Sequence, residues 1–151
     1  MGDIKRILVA IRLSKYDSKA VHYAVALART SGAELYLLHV VYDPFGLKGW
    51  NLPVPNLDED YRRELDKAKK GLDRMIAAER AKGLPIKELI KEGEPAKQIL
   101  QTIMEEQVDV LVLLAHEEGK VDHFFFGHTY DEIIKKLPCS IFLVKKEVKF
   151  T

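Results

Sequence analysis

Short, wholly apolar runs alternate along this chain with longer stretches in which apolar residues recur every three or four positions. A run that is apolar throughout is typical of a strand buried on both faces of a parallel sheet. The longer stretches have the spacing of amphipathic helices, which must then cover both faces. The pattern predicts an α/β fold, with a three-layer open parallel five-stranded sheet and helices on both faces. The predicted strands are residues 4–11, 33–41, 86–90, 108–115 and 140–144.

The predicted helices are delimited by residues that favour helix ends. Asp17 or Ser18 can cap the first helix, because a side-chain oxygen there accepts a hydrogen bond from a free amide. Gly32 suits the position after that helix, where the backbone turns left-handed. Proline is favoured in a first helical turn, so Pro95 indicates the start of the third helix. The remaining stretches predict a long second helix over residues 57–82 and a short fourth helix around residues 130–137.

Length and composition limit the class of protein. The 151 residues are 47% apolar, which predicts a single domain over residues 1–151 with its own core. The formal net charge of +1 gives no field that attracts nucleic acid or an anionic membrane, and no apolar run reaches the roughly 20 residues of a transmembrane helix. We therefore expect no nucleic-acid and no membrane partner, and a cytoplasmic location. The single cysteine, Cys139, excludes an internal disulfide and is expected to be a small buried residue.

The candidate functional residues lie where the predicted strands end. In an open parallel sheet, ligands bind beyond the carboxyl ends of the strands, at the point where the winding reverses. Arg12 follows the first strand, Val40 and Val41 close the second, and His116 and Glu117 follow the fourth. We therefore expect any ligand to contact these residues.

Five blocks of sequence carry a resemblance to a known family. They occur in the order KRILVAI, SGAELYLLHVV, EGEPAKQIL, VDVLVLLAH and FFFGHTYDEIIKKLPCSIFLV. In this order the chain resembles the universal stress protein family over essentially its whole length. The resemblance implies the strand order 3-2-1-4-5, a dimer formed through the last strand, and a crevice that in many members binds ATP.

The sequence departs from the ATP-binding pattern of that family. The pattern has an aspartate after the first strand, where this chain has Arg12, and a glycine-rich loop after the fourth strand. Gly127 aligns with the last glycine of that loop. Leu114 and Glu117 then stand where the first two glycines are expected, and His128, followed by a threonine, replaces the hydroxyl residue. By resemblance, the nucleotide crevice of this chain comprises Ile11, Arg12, Val40, Val41, His116, Glu117, Gly127, His128 and Thr129.

These substitutions oppose a bound triphosphate. A glycine-rich loop binds phosphate because several amides converge where no side chain intrudes, and Glu117 both fills that space and adds negative charge. A carboxylate about 4 Å from a phosphate charge repels it by up to about 4 kcal/mol near a surface, which is about half the free energy of micromolar binding. We therefore expect that ATP does not bind firmly, and that Arg12 pairs with Glu117 or Glu118 across the crevice. Retained ATP binding with slow hydrolysis is the alternative.

The histidines raise two further questions. His116, His123 and His128, with Asp122 nearby, are residue types that bind metals, but their spacing does not match a helical His-Glu-x-x-His site. We predict no metal site, and a metal or small-anion sensor stays open as an alternative. His39, inside an apolar strand, is interpreted as a core residue. Catalysis is not predicted, because no serine or threonine has both a base and an identifiable orienting group.

The last strand and the longest connection suggest protein partners. The last strand should form an edge of the sheet, and an unprotected edge invites pairing with another chain. We predict a homodimer through its apolar residues. The connection over residues 42–56 is long for a compact domain, and such connections often have a function. We expect it to pack on the fold. If its tryptophan is exposed, an unidentified protein partner is favoured instead. The family resemblance implies a stress-linked binding or regulatory module, and the predicted dimer surface comprises Ile141, Leu143, Val144 and Val148.

Overall fold

The computed structural model describes residues 3–11, 17–41, 57–115 and 126–145. The strands are β1 (Arg6–Ile11), β2 (Glu34–Val41), β3 (Ile86–Glu92), β4 (Val110–Leu114) and β5 (Ser140–Val144). The helices are α1 (Asp17–Ser31), α2 (Leu57–Ala81), α3 (Pro95–Glu105) and α4 (Phe126–Lys136). The strands pair in parallel in one sheet of order β3-β2-β1-β4-β5. This order confirms the predicted α/β class and topology.

The first core cluster lies between one face of the sheet and helices α1 and α2. Ile7 and Val9 of β1 pack there with Val21 of α1 and Ile76 of α2. These side chains are at most 2% exposed. Burying a side chain of this size contributes roughly 1.5–3 kcal/mol, so this layer is a main source of the stability of the fold.

The second core cluster lies on the opposite face of the sheet, beneath α3 and α4. Leu8 and Ala10 of β1 pack there with Ile99 of α3 and Ile133 of α4. Successive side chains of a strand point to opposite faces, so β1 supplies both clusters. This two-sided burial explains why the run of β1 is apolar throughout.

Helix α4 and strand β3 are longer than predicted, whereas β1 and β4 each begin two residues later than predicted. Helix α4 begins at Phe126 rather than near Tyr130. Strand β3 continues to Glu92, past the predicted end at Ile90, because it is an edge strand with exposed positions that can carry charge. Among the described residues, no helix is both long enough and apolar enough to cross a membrane.

The amino end of the sheet is held by hydrogen bonds around Asp109. Its Oδ2 accepts from the backbone amides of Lys5 at 2.8 Å and Arg6 at 3.0 Å. The Arg6 guanidinium in turn donates to the carbonyl of Glu106 at 3.2 Å and to Oε1 of Gln107 at 3.3 Å. The start of β1 is thereby joined to the turn that precedes β4.

A second tie joins the end of α2 to the start of β3. The carbonyl oxygen of Ile86 accepts from Nε of Arg80 at 3.2 Å and from Nη2 of Arg80 at 2.8 Å. The backbone amide of Leu35 donates to the carbonyl of Pro85 at 3.1 Å. The turn between α2 and β3 is therefore held both by the side chain of Arg80 and by the backbone of β2.

Candidate functional site

The winding of the sheet reverses at β1, which lies between β2 and β4. Connections on the two sides of such a strand leave in opposite directions, so a crevice opens beyond the carboxyl ends of β1 and β4. The strand order therefore places the candidate site at this end of the sheet.

The described residues at the ends of β1 and β2 are apolar, and they face opposite sides of the sheet. Ile11, at the end of β1, is 7% exposed and belongs to the first core cluster. Val40 of β2 is half-buried against the second cluster. Val41 ends β2, and its backbone pairs with that of Glu92. The ends of β1 and β2 therefore offer apolar contacts, which suit the flat face of a ring-shaped ligand.

The end of β4 offers little to a phosphate. Leu114, which stands where the family pattern has its first glycine, is the last residue of β4 and is 6% exposed in the first core cluster. The amide of Ala115 donates to the carbonyl of Val144 at 2.8 Å. Both positions are therefore engaged within the fold, since an amide that bonds to β5 is not free for a ligand.

Several predicted site residues lie outside the described part of the chain. These are Arg12, His116 and Glu117, so the predicted ion pair between Arg12 and Glu117 or Glu118 stays a prediction. Gly127, His128 and Thr129 lie in the first turn of α4, for which only the backbone path is described. Residues 42–56 are outside as well. Among the described residues, no three His, Cys, Asp or Glu side chains are grouped as a metal site requires; His123 and Asp122 fall outside that set.

The charge of a lysine acts on a histidine at the carboxyl end of β2, an interaction that the sequence did not indicate. His39 pairs with Ile11 on one side and with Ile90 on the other. It is half-buried rather than fully enclosed. Burial, followed by the nearby charge of Lys69, lowers the pKa of His39 from its ordinary value. The helical spacing of Lys69 to Leu72 was the available signal, because it places the lysine on the inward side of α2.

Helix α3 also begins at this end of the sheet. Gly93 precedes it with a φ of 136°, a backbone conformation that favours glycine. A Cβ at Gly93 would lie 2.9 Å from Nε2 of Gln98. The side chain of Gln98 thus fits over the turn because the residue there has no side chain. Pro95 occupies the start of the helix, as predicted.

The predicted dimer residues are placed differently from one another. Leu143 is 39% exposed and Ile141 is half-buried, whereas Val144 is 2% exposed within the first core cluster. Phe142, also half-buried, lies with its ring centroid 5.6 Å from that of Tyr23 on α1. Val148 lies outside the described residues. The side chain of Val144 is therefore not available to another chain, and its carbonyl already accepts from the amide of Ala115.

Comparison with known proteins agrees with this architecture. A model of the universal stress protein family matches residues 3–145. The universal stress protein from the QAH/OAS sulfhydrylase 3′ region of Thermus aquaticus is 30% identical over 142 residues, covering 93% of this chain and 98% of that protein.

Two solved structures show the same fold. Protein MJ0577 of Methanocaldococcus jannaschii has a TM-score of 0.71 at 21% identity, over 98% of this chain and 100% of that one. The universal stress protein of Archaeoglobus fulgidus in complex with dAMP has a TM-score of 0.62 at 18% identity, over 95% of this chain and 100% of that one. With the family model covering nearly all of its length, the chain belongs to the universal stress protein family.

Proposed function

We propose that this protein is a non-enzymatic, stress-linked binding module of the cytoplasm. Its crevice has lost firm hold of ATP and takes an adenine nucleoside monophosphate instead. The observation that carries the proposal is that β1 and β2 end in apolar residues, Ile11 and Val40, beside the reversal point of the sheet. The dAMP complex of the related Archaeoglobus fulgidus protein supports a ligand of this class.

The phosphate side of the crevice favours a monophosphate over a triphosphate. Leu114 is committed to the core and the amide of Ala115 to β5, so two positions at the end of β4 give no phosphate contact. The sequence then places Glu117 and Glu118 in the loop that follows. Each further phosphate brings more negative charge towards these carboxylates, and like charges repel. The adenine side is unaffected, because it depends on apolar contact.

Isothermal titration calorimetry with AMP and with ATP tests this proposal. We expect AMP to bind about tenfold or more tightly than ATP, since one repulsive contact of 1.4 kcal/mol or more produces such a ratio. The variant Glu117→Gly removes a carboxylate and restores a glycine, so it should raise the affinity for ATP relative to AMP. Tighter binding of ATP than of AMP by the natural sequence contradicts the proposal.

We also propose that two copies pair through β5. The two edge strands differ in charge, which supports pairing through β5 rather than β3. Charged residues protect an unpaired edge from other strands, and an edge without them is open to pairing. β3 carries the sequence IKELIKE, with four charged residues, whereas β5 reads SIFLV and has none. A twofold antiparallel pairing uses the same residues of both copies.

Light scattering coupled to gel filtration tests the pairing. The natural protein should run at twice the 17.2 kDa of one chain at micromolar concentration. Leu143→Glu should yield monomers, because it places a charge on the exposed apolar face of β5. Ile90→Glu is the matched control on the other edge and should leave the dimer intact. A monomeric natural protein, or dissociation by both substitutions, refutes pairing through β5.

A further inference from the structure

The outer edge of β5 presents the backbone groups of alternate residues. The carbonyl of Val144 accepts from the amide of Ala115 at 2.8 Å, and the amide of Ser140 donates to the residue before β4 at 3.3 Å. Both bonds run towards β4, and successive residues of a strand direct their amide and carbonyl to opposite sides. Ile141 and Leu143 therefore direct theirs away from β4, to the edge at which no described strand pairs.

The side chains of β5 are apolar on both faces of the sheet. Phe142 packs against the first core cluster, on the side that α1 covers, whereas Ile141 packs against the second. Leu143 is two positions after Ile141, so it faces the same side, and it is 39% exposed. A strand added at this edge therefore removes apolar surface from water on both faces.

Helix α1 adds an aromatic ring beside this edge. Tyr23 is 41% exposed, and among the described side chains it is the one exposed tyrosine or phenylalanine. Its ring centroid lies 5.6 Å from that of Phe142, at an interplanar angle of 35°. This separation is typical of an aromatic pair in contact. The two rings thus form an apolar surface that continues from α1 to the edge of β5.

Symmetry fixes how two such edges meet. When identical edge strands pair antiparallel in one continuous sheet, the twofold axis stands perpendicular to the sheet, so equivalent faces share a side. The two α1 helices then lie on the same side, with Tyr23 of each beside the junction. Full overlap of the five residues of β5 puts the axis at the middle residue, Phe142. Moving the axis to Leu143 shortens the overlap and sets the apolar Ile141 opposite the partner's Lys145.

We infer that two copies pair about a twofold axis at Phe142, and that Tyr23 and Phe142 of both copies form one aromatic cluster across the junction. The inference rests on the proposed pairing through β5. At this register Ile141 is opposite the partner's Leu143, and each such pair exchanges two hydrogen bonds through the backbone groups that the edge leaves free. The two Phe142 residues form a pair without hydrogen bonds, in which opposed side chains lie closest.

Disulfide cross-linking tests this register. The chains carry Cys139→Ser, which removes the natural thiol. Co-expressed Ile141→Cys and Leu143→Cys chains should form a covalent dimer on oxidation with diamide. Opposed residues of a hydrogen-bonded pair lie about 5.5 Å apart at Cα, and a disulfide spans up to about 6.8 Å. Each variant expressed alone is the matched control and should stay free, since its two thiols then stand on Cα atoms about 8.5 Å apart.

The pattern of cross-links separates this inference from the proposed pairing. A disulfide formed by Leu143→Cys alone puts the axis at Leu143, and one formed by Ile141→Cys alone puts it at Ile141. Either result overturns the register while leaving pairing through β5 intact. A natural protein that is monomeric, or a dimer that forms none of the three disulfides, overturns both the register and the pairing.

Analytical ultracentrifugation tests the part that α1 plays. Tyr23→Ala removes two rings from the cluster of each dimer and should raise the dissociation constant of the dimer by about tenfold or more, because aromatic pairs contribute beyond the area that they bury. Tyr23→Phe keeps both rings and should stay within about threefold of the natural protein.

Ile90→Ala is the matched control for the loss of an exposed apolar side chain. Ile90 is 69% exposed on β3, at the opposite edge of the sheet. Its truncation should leave the dissociation constant within about twofold of the natural value. Circular dichroism of each variant establishes that it is folded. If Tyr23→Ala and Ile90→Ala dissociate alike, the aromatic cluster is overturned, whatever the cross-links show.

Discussion

The two ends of the sheet are built differently. At the amino end, the carboxylate of Asp109 receives two backbone amides and the guanidinium of Arg80 donates twice to one carbonyl. At the carboxyl end, β1 and β4 finish in the apolar residues Ile11 and Leu114, which are 7% and 6% exposed. The described hydrogen bonds at the amino end therefore hold the fold together, whereas the described ends of β1 and β4 contribute apolar packing. Stability and ligand binding can therefore be altered separately.

The largest expected effect comes from Asp109. Replacing it with alanine leaves the amides of Lys5 and Arg6 without their acceptor, so the free energy of unfolding should fall by about 2 kcal/mol. Urea denaturation measures this loss. Asp109→Asn keeps one acceptor oxygen and should lose less. AMP affinity should not change in either variant, and a parallel loss of binding would show that the two ends are coupled.

Arg80 should contribute less to stability, because its side chain is 49% exposed and water can replace part of its bonding. Arg80→Ala should lower the free energy of unfolding by about 1 kcal/mol. Arg74→Ala is the control on the same helix, since its Nε donates to the carbonyl of Lys70 at an exposed position. Its effect should stay within about 0.5 kcal/mol. Equal losses in the two variants would mean that the tie to Ile86 adds nothing.

Acid should lower the stability of the fold through His39, at the carboxyl end of the sheet. Burial and then the charge of Lys69 lower the pKa of His39 in the folded chain from the ordinary 6.5. Below pH 6.5 the unfolded chain takes up this proton first, so stability should decrease as the pH falls until the folded chain is protonated too. Thermal unfolding of the natural protein and of His39→Gln over this range measures the difference. The variant should show a shallower decline, and identical slopes would exclude His39 as a cause.

Alkali should lower the stability of the fold through Tyr36, towards the amino end of the sheet. Burial, followed by its hydrogen bond to Glu34 at 3.0 Å and the charge of that carboxylate, raises the pKa of Tyr36 above 10.0. The unfolded chain therefore loses this proton first, and stability should decline as the pH rises above 10.0. Tyr36→Phe should reduce this decline, which is the smallest of the four effects. Ultraviolet absorbance of tyrosinate in the folded protein should show one ring that ionises late.

The sequence predicts the fold well because the buried strands are marked by local runs of apolar residues. The apolar run of β1 reports burial on both faces, and the bounds of β2 and β5 agree closely with their runs. Edge strand β3 is predicted short, because its outer positions are polar and lack that signal. Contacts between distant positions leave no local signal: Asp109 binds amides more than a hundred residues away. The effect of the charge of Lys69 on His39 depends likewise on how α2 lies on the sheet.

The backbone at Gln107 limits which residues can follow α3. Its φ of 52° lies in the left-handed region, which asparagine and glycine enter readily and which β-branched residues avoid. Glycine here would relax the backbone but remove the acceptor that holds Arg6. Substitutions at this position are therefore confined to a narrow set of long or polar side chains. A valine or isoleucine there in a homologue would indicate that the backbone between α3 and β4 has a different conformation.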